Sequence, residues 1–543
     1  MKPLFCPLSV RRCAIIRSVF LAALMVTSVF SFLEARTNKD SDLPLLDSVS
    51  IDGITWKFSQ KAQVGRFVNG DYYVVGNVTV NSVTPSPTPE RNGSVLNLPV
   101  NSQEVSGFDS RVTGNRFTPG LRAVFPLTMK PRDALISSIS LDTIGSIQPW
   151  LREGNGETPE SPVKTVSILT CLSAPVSASA FRPSYCDRQQ KIYYADNLQR
   201  GLLPSLPKVA GIPDIKTWAW HFRRPWLDVC FFAFDAATEY QAQYGREVAR
   251  SVGMGTLMLM CNFTAAEKES LLVYTIQYGI DLWGIARAGY LGWEAFGGHG
   301  SGRKWPIVFA GIMLGETAMQ TPEKLLPNIR FGEDMQTMYD KCWTGAKVVY
   351  AGHQGVWKGK PVSSDPAWGP YENLQPSQWP CSGGDGCIGE NYRRCCTSLA
   401  WVGEALAARI LNAKSLWNHN AFFDYVDRWM TENDSAAVAI IKQQKNLDYS
   451  ADWEREGQCW DAFVQNMWKT YMASYPNNTL GNYRPKSFPK IVPSRSYNFF
   501  KSPGNGSFFD LSGRAASSET LNKSAVILSQ GPHKNVQKYL LLK

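Results

Sequence analysis

TAAEKESLLVYTIQYGIDLWGIARAGY, residues 264–290, decides how the rest of the chain is read. Thr264 followed three residues later by Glu267 is a capping box, in which side chain and backbone satisfy each other's free groups at a helix start. Leu272, Ile276, Ile280 and Trp283 then return at the spacing of one helix face. Working outward, the same period predicts helices over 214–241, 246–260, 306–317, 332–350, 394–412, 416–431 and 459–474. Pro306 sits near a first turn, where its missing N–H costs nothing. Seven or eight helices with no strand between them predict a mainly α fold, an (α/α) toroid or barrel. This catalytic domain is expected over 206–480.

Upstream of about residue 213 the apolar period shortens to two. Val49, Ile51, Ile54 and Trp56 flank the turn Asp52-Gly53, and Asn69-Gly70 separates Phe67-Val68 from the run Tyr72 to Val75. Both are hairpin signals. Stretches 120–145 and 163–175 read as further strands, so 36–205 is expected to be a β-rich N-terminal region. Residues 354–390 form a long Gly/Pro/Trp-rich loop, and loops of that length are often functional. Beyond about 480 periodicity is lost, and 481–543 reads as a loosely ordered tail.

The first 35 residues carry Lys2, Arg11, Arg12 and Arg17, then an apolar run from Val19 to Leu33. That layout is a secretory signal peptide. The run is shorter than the ~20 residues needed to span a bilayer. A secreted or periplasmic location is expected, with no stable membrane span after signal cleavage. Ten cysteines follow, namely 171, 186, 230, 261, 342, 381, 387, 395, 396 and 459. An even number in an exported chain suggests disulfides, and Cys381 and Cys387 bracket a short glycine-rich loop that such a bond would staple. No spacing resembles a zinc site.

The net charge of +10 favours an acidic partner. No Lys/Arg block resembles a nucleic-acid patch, so nucleic acid is not expected and an acidic polysaccharide fits better. The 18 Trp, 21 Tyr and 26 Phe supply either a large core or flat platforms for sugar rings.

Three segments concentrate reactive side chains. GGHGSGRKWP, residues 297–306, links two predicted helices, and its glycines allow the backbone to approach something closely. It places His299, Arg303 and Lys304 together, as an anion-binding and proton-moving site would; a tight turn with solvated His and Arg is the plainer reading. GCIGENYRRCC, residues 386–396, places Tyr392 beside Arg393 and Arg394, where cations favour a phenolate. A structural Tyr bonded to backbone would leave the same trace. WAWHFRRPW, residues 218–226, surrounds His221, Arg223 and Arg224 with Trp, as a uronate groove or an aromatic helix start would. His353 is a fourth, loop-borne candidate.

The strings GGHGSGRKWPI, GRFVNGDYYVVG (65–76), FRPSY (181–185) and ENYRRCCT resemble the family 38 polysaccharide lyases over roughly residues 50–470. The resemblance implies a secreted helical toroid that cleaves alginate or glucuronan by β-elimination. In such a reaction the C5 carboxylate is neutralised, a base removes the C5 proton and an acid protonates the leaving O4. It implies His299 and Arg303 as neutralising or abstracting groups, and Tyr392 as base, acid or both, kept partly ionised by Arg394. His221, Arg224, His353, Asn391, Arg394, Trp220 and Trp305 would bind substrate. No cofactor is expected and no residue is assigned as a metal ligand; the need for a metal stays open, since the elimination does not require one if Arg and His neutralise the carboxylate. Two other classes stay open. An inverting glycoside hydrolase on a toroid would need two carboxylic acids, with Asp228, Glu294, Glu316, Glu372 and Glu390 available. A non-catalytic glycan-binding protein would need only the Trp platforms.

Overall fold

The computed structural model of the chain describes residues 43–100, 107–112, 117–144, 162–228, 239–242, 244–290, 292–381, 387–445 and 458–475, and the strands 508–509, 525–530 and 536–541. The expected signal peptide, Cys230 and most of the stretch 229–241 lie outside these residues.

Eight strands build the N-terminal half: β1 (Leu45–Ile51), β2 (Ile54–Arg66), β3 (Tyr72–Val75), β4 (Val78–Thr84), β5 (Ser94–Leu96), β6 (Leu127–Met129), β7 (Ala134–Ser140) and β8 (Val163–Leu172). They form one curled sheet in the order β5-β7-β8-β3-β2-β4-β6, with β1 also on β2. Asp52 and Gly53 both take positive φ between β1 and β2, as the tight hairpin turn requires. Antiparallel β2 and β3 flank Asn69-Gly70. Among the described strands of this sheet, only β3 and β8 pair in parallel.

Alternation along the strands feeds two cores. Leu135, Leu169 and Cys171 point into the curl with Trp56, Val74 and Val80. Their neighbours Ile136 and Ile168 point the other way and join the core of the helical half. That half contains α1 (Ile215–Phe222), α2 (Gly245–Met260), α3 (Ala265–Arg287), α4 (Lys304–Leu314), α5 (Ile388–Tyr392), α6 (Ser398–Ile410), α7 (Asn420–Thr431), α8 (Ser435–Lys445) and α9 (Ala462–Tyr471). The capping box of Thr264 and Glu267 opens α3 with both of its hydrogen bonds made. Glycines set the closest crossings. A Cβ on Gly253 of α2 would lie 3.0 Å from the backbone of Gly403 on α6, and one on Gly279 of α3 only 2.3 Å from Pro306 O on α4.

The expectation of a mainly α toroid is overturned. Helix accounts for 39 % and strand for 20 %, with a curled mixed sheet in the N-terminal region. Strands also interrupt the helical half. The predicted helix over 332–350 is one turn, Gly332–Met335, followed by the antiparallel pair Thr337–Tyr339 and Val348–Tyr350. Gly345, at φ +98, supplies the reversal between them, and Val348 and Val349 are β-branched residues suited to strand. Helical periodicity over that stretch therefore came from a turn and a hairpin in sequence. Within the expected tail, strands Phe508–Phe509, Ala525–Gln530 and Val536–Leu541 form an antiparallel sheet. Among the described residues no helix is long and apolar enough to cross a membrane.

Buried charges join the two halves. Arg182, in the FRPSY string, donates from Nε to Asp71 at 2.6 Å and from both terminal nitrogens to Asp281 of α3 at 3.0 and 2.6 Å. All three side chains are buried, and a buried cation is tolerable only when paired in this way.

Candidate active site

The loop from Gly292 to Arg303 approaches three other segments because glycines leave room. Gly297 takes φ +56, and a Cβ there would lie 2.3 Å from the Tyr392 ring and 3.0 Å from His353 Nε2. A Cβ on Gly298 would lie 2.4 Å from Cys396 O and 2.8 Å from the Tyr244 ring. Hydrogen bonds hold the approach. Gly297 N–H donates to His353 O at 3.0 Å, Gln336 Nε2 donates to both Gly297 O and His353 O, and Gly298 N–H donates to the Tyr244 hydroxyl oxygen at 2.8 Å.

The result is a ring cluster drawn from four separate segments. His353 meets Tyr392 edge-on with centroids 4.4 Å apart, Trp368 at 4.5 Å and Phe296 at 4.8 Å. His299 meets Tyr244 at 4.6 Å. His299, Tyr392, Tyr244, Phe296, Trp368 and Asn391 are half-buried, whereas His353 is 1 % exposed. Burial pushes the His353 imidazole down to about 3, so it is neutral at physiological pH. Its Nδ1 has no hydrogen-bond partner among the described residues. Of the residues singled out by sequence, His299, His353 and Tyr392 thus join one ring cluster, and Asn391 precedes Tyr392 on α5. Tyr244, Phe296, Trp368 and Gln336 were missed. Nothing in their local sequence distinguishes them, since each is recruited by a contact from a distant segment.

Arg303 is placed differently from its expected role. It is 1 % exposed and grips Asp228 with Nε at 2.8 Å and Nη2 at 3.0 Å. Its Nη1 donates to the carbonyls of His299 and Ser301. This guanidinium shapes the loop that carries His299. Trp305 is fully buried and donates to Thr256 Oγ1 at 3.0 Å, as a core residue.

Arg394 is also buried, with Nε on Glu390 and Nη1 on Asp434 at 2.6 Å. Together with Arg393, Arg428, Glu372, Glu390 and Trp379 it lines a cavity of about 280 Å³. Burial alone would raise the Glu372 carboxyl, but Arg393 and Arg428 hold it down at about 2. His221, Trp220 and Arg224 lie on or just after α1, at the turn between β1 and β2. Arg223 and Arg224 pair with Asp52, Arg224 also pairs with Glu239, and the Arg224 guanidinium lies 5.0 Å from the Trp220 ring centroid. Burial lowers His221 to about 4, and Trp220 is 42 % exposed.

The remaining carboxylates considered for hydrolysis are ion-paired: Asp228 with Arg303, Glu294 with Arg330, Glu316 with Lys191, and Glu390 with Arg394. Cys381 and Cys387 are joined as a disulfide, and so are the consecutive residues Cys395 and Cys396. In comparisons with known proteins, no family model, no curated protein and no solved structure matches this chain.

Proposed function

We propose that this protein is a polysaccharide lyase acting on an acidic uronate polymer, alginate or glucuronan, by β-elimination. One observation carries the reading: His353 packs edge-on against Tyr392 and His299 against Tyr244, and Phe296 touches both histidines, so two imidazole–phenol pairs share one ring cluster. Two imidazoles, two phenols and an amide are the groups that a proton abstraction beside a carboxylate needs.

In this reading Tyr392 removes the C5 proton and returns a proton to the leaving O4. His299 and Asn391 hold the substrate carboxylate, which makes the C5 proton more acidic. His353 stays neutral and fixes the Tyr392 ring from behind. Tyr244, whose hydroxyl oxygen accepts the Gly298 N–H, takes a second proton-carrying role beside His299. Arg303 and Arg394, already committed to Asp228, Glu390 and Asp434, contribute by position rather than by touching substrate. The half-buried Phe296 and Trp368 supply apolar faces for a sugar ring.

A hydrolase reading would draw on Glu372 and Glu390, which share the cavity beside Trp379. Such an enzyme needs one carboxyl protonated as the acid, and Glu372 is held in its ionised form. Incubation with a panel of polyuronates and neutral glucans separates the readings. The lyase is expected to generate the ultraviolet absorbance of an unsaturated uronate on alginate or glucuronan alone. New reducing ends without that absorbance assign a hydrolase, and binding without any product assigns a glycan-binding protein.

A further inference from the structure

Cys395 and Cys396 form a disulfide between neighbours, inside a five-residue π-turn, Arg393–Thr397, that separates α5 from α6. A bond between adjacent residues closes the smallest loop a chain allows, so it removes almost no freedom from the unfolded state. Consecutive α-carbons across a trans peptide are about 3.8 Å apart, below the roughly 4.4–6.8 Å that disulfides ordinarily span. Such a bond contributes little as a general staple and belongs to the more easily reduced class. What it controls is local backbone shape, and π-turns inside helices frequently mark functional places.

The neighbourhood of this turn is that of Tyr392. Thr397 Oγ1 reaches back across the turn to Tyr392 O at 3.0 Å. Arg246 Nη1 donates to Cys395 O at 2.8 Å and lies 3.9 Å from Cys396 Sγ. Cys396 O faces Gly298, and Gly297 faces the Tyr392 ring. The disulfide ring therefore underlies the same contact that seats Tyr392 between Gly297 and His353. Both cysteines are buried, at 6 % and 4 % exposure, so opening the bond acts on the interior of the cluster.

We propose that Cys395–Cys396 is a reversible redox-modification site whose oxidised form holds Tyr392 in the His299–His353 cluster. The co-reactant is a dithiol. Its thiolate attacks one sulfur, the S–S bond breaks and a mixed disulfide forms. The second thiol of the reductant then displaces the protein sulfur. The reductant leaves as its own disulfide, and the two cysteines have gained two electrons and two protons. Freed of the bond, the segment relaxes toward regular α-helical bonding and loses the extra residue of the π-turn. One residue of an α-helix corresponds to a rotation of about 100°, which carries Tyr392 off His353. The activity readout rests on the lyase reading, but the structural readouts do not.

The test uses the full chain and a Cys381→Ser/Cys387→Ser variant, each titrated with dithiothreitol. Thiol alkylation with peptide mapping reports the state of 395 and 396. Hydrogen exchange over 388–398 and near-ultraviolet circular dichroism report the segment, and polyuronate cleavage reports turnover. Exchange and dichroism are expected to change in step with opening of this bond, and to return on reoxidation. Turnover is expected to fall by about a hundredfold, the cost of misplacing a reacting group by an ångström or so. A Cys396→Ser variant should sit at the reduced level and ignore the reductant. The idea is overturned by free thiols at 395 and 396 in the untreated protein, by unchanged exchange after trapping, or by global unfolding on reduction. Absence of cleavage in both states would count against the lyase reading alone, leaving exchange and dichroism to decide.

Discussion

Tyr392 and Arg303 look equally reactive as letters in a sequence, and the structure separates them. Tyr392 is half-buried and touches His353. Tyr392→Phe removes one oxygen, so fold and polymer binding should persist. Turnover should drop by ~10²–10⁴-fold, the usual worth of a positioned acid or base. Retention of most activity in steady-state assays would make this Tyr structural and move attention to Tyr244. Arg303→Ala should behave in another way, because it strands Asp228 as a buried charge. Breaking such a pair costs about 3–5 kcal/mol, so chemical denaturation should show a large loss of stability. An Arg303→Ala protein of normal stability but weakened polyuronate affinity would return Arg303 to the carboxylate-neutralising role expected from the sequence.

At the scale of elements, the Gly292 to Arg303 loop is the part on which the cluster depends. Gly297 has φ +56, and any side chain there meets Tyr392 and His353. Gly297→Ala should cost about 1–2 kcal/mol from the left-handed backbone alone. Its larger effect should be on turnover, of order a hundredfold, since Tyr392 has to move aside. Measuring kcat and the melting temperature on one sample checks both. A variant that melts lower yet turns over normally would show that the seat of Tyr392 is unimportant to the chemistry.

Across the whole molecule, two carboxyls lie deep in the helical half. Glu333 and Glu404 are both fully buried, and Glu333 Oε2 and both Glu404 oxygens lack partners among the described residues. Burial pushes Glu333 up to about 7 and Glu404 well above its ordinary 4.5, with Glu333 further opposing ionisation of Glu404. Lys304 and Asp334 face Glu333, and Arg303 faces Glu404, with the two cations only partly offsetting burial. A carboxyl held protonated in the fold favours the fold at low pH. Glu333's contribution is complete below the unfolded range near 4.5 and is lost as pH rises through about 7. His353 acts with the opposite sign, because a buried neutral imidazole loses stability for the fold as pH falls below about 6.5. Glu404→Gln separates the two. It should melt higher than the parent above pH 7, and the difference should shrink toward pH 5. A variant that melts lower at pH 8 would mean that Glu404 is charged and paired in the fold.

Sequence alone determined what depends on near neighbours. The capping box and apolar face of 264–287 specify α3, and Asp52-Gly53 specifies the β1–β2 turn, because both are settled within a few residues by hydrogen bonds and φ preference. The segments at 297–306 and 386–396 were also legible as places where glycines, histidine and tyrosine gather. Tertiary structure alone decided which charges remain available. Arg303 finds Asp228 across 75 positions and Arg394 finds Asp434 across 40. A buried guanidinium must take a carboxylate wherever folding brings one, and no local pattern announces the partner. The same reason hid Tyr244 from the sequence. It also undid the toroid: a hairpin at 337–350 carries apolar residues at spacings that suit a helix, and only its pairing across Gly345 shows that they belong to strands.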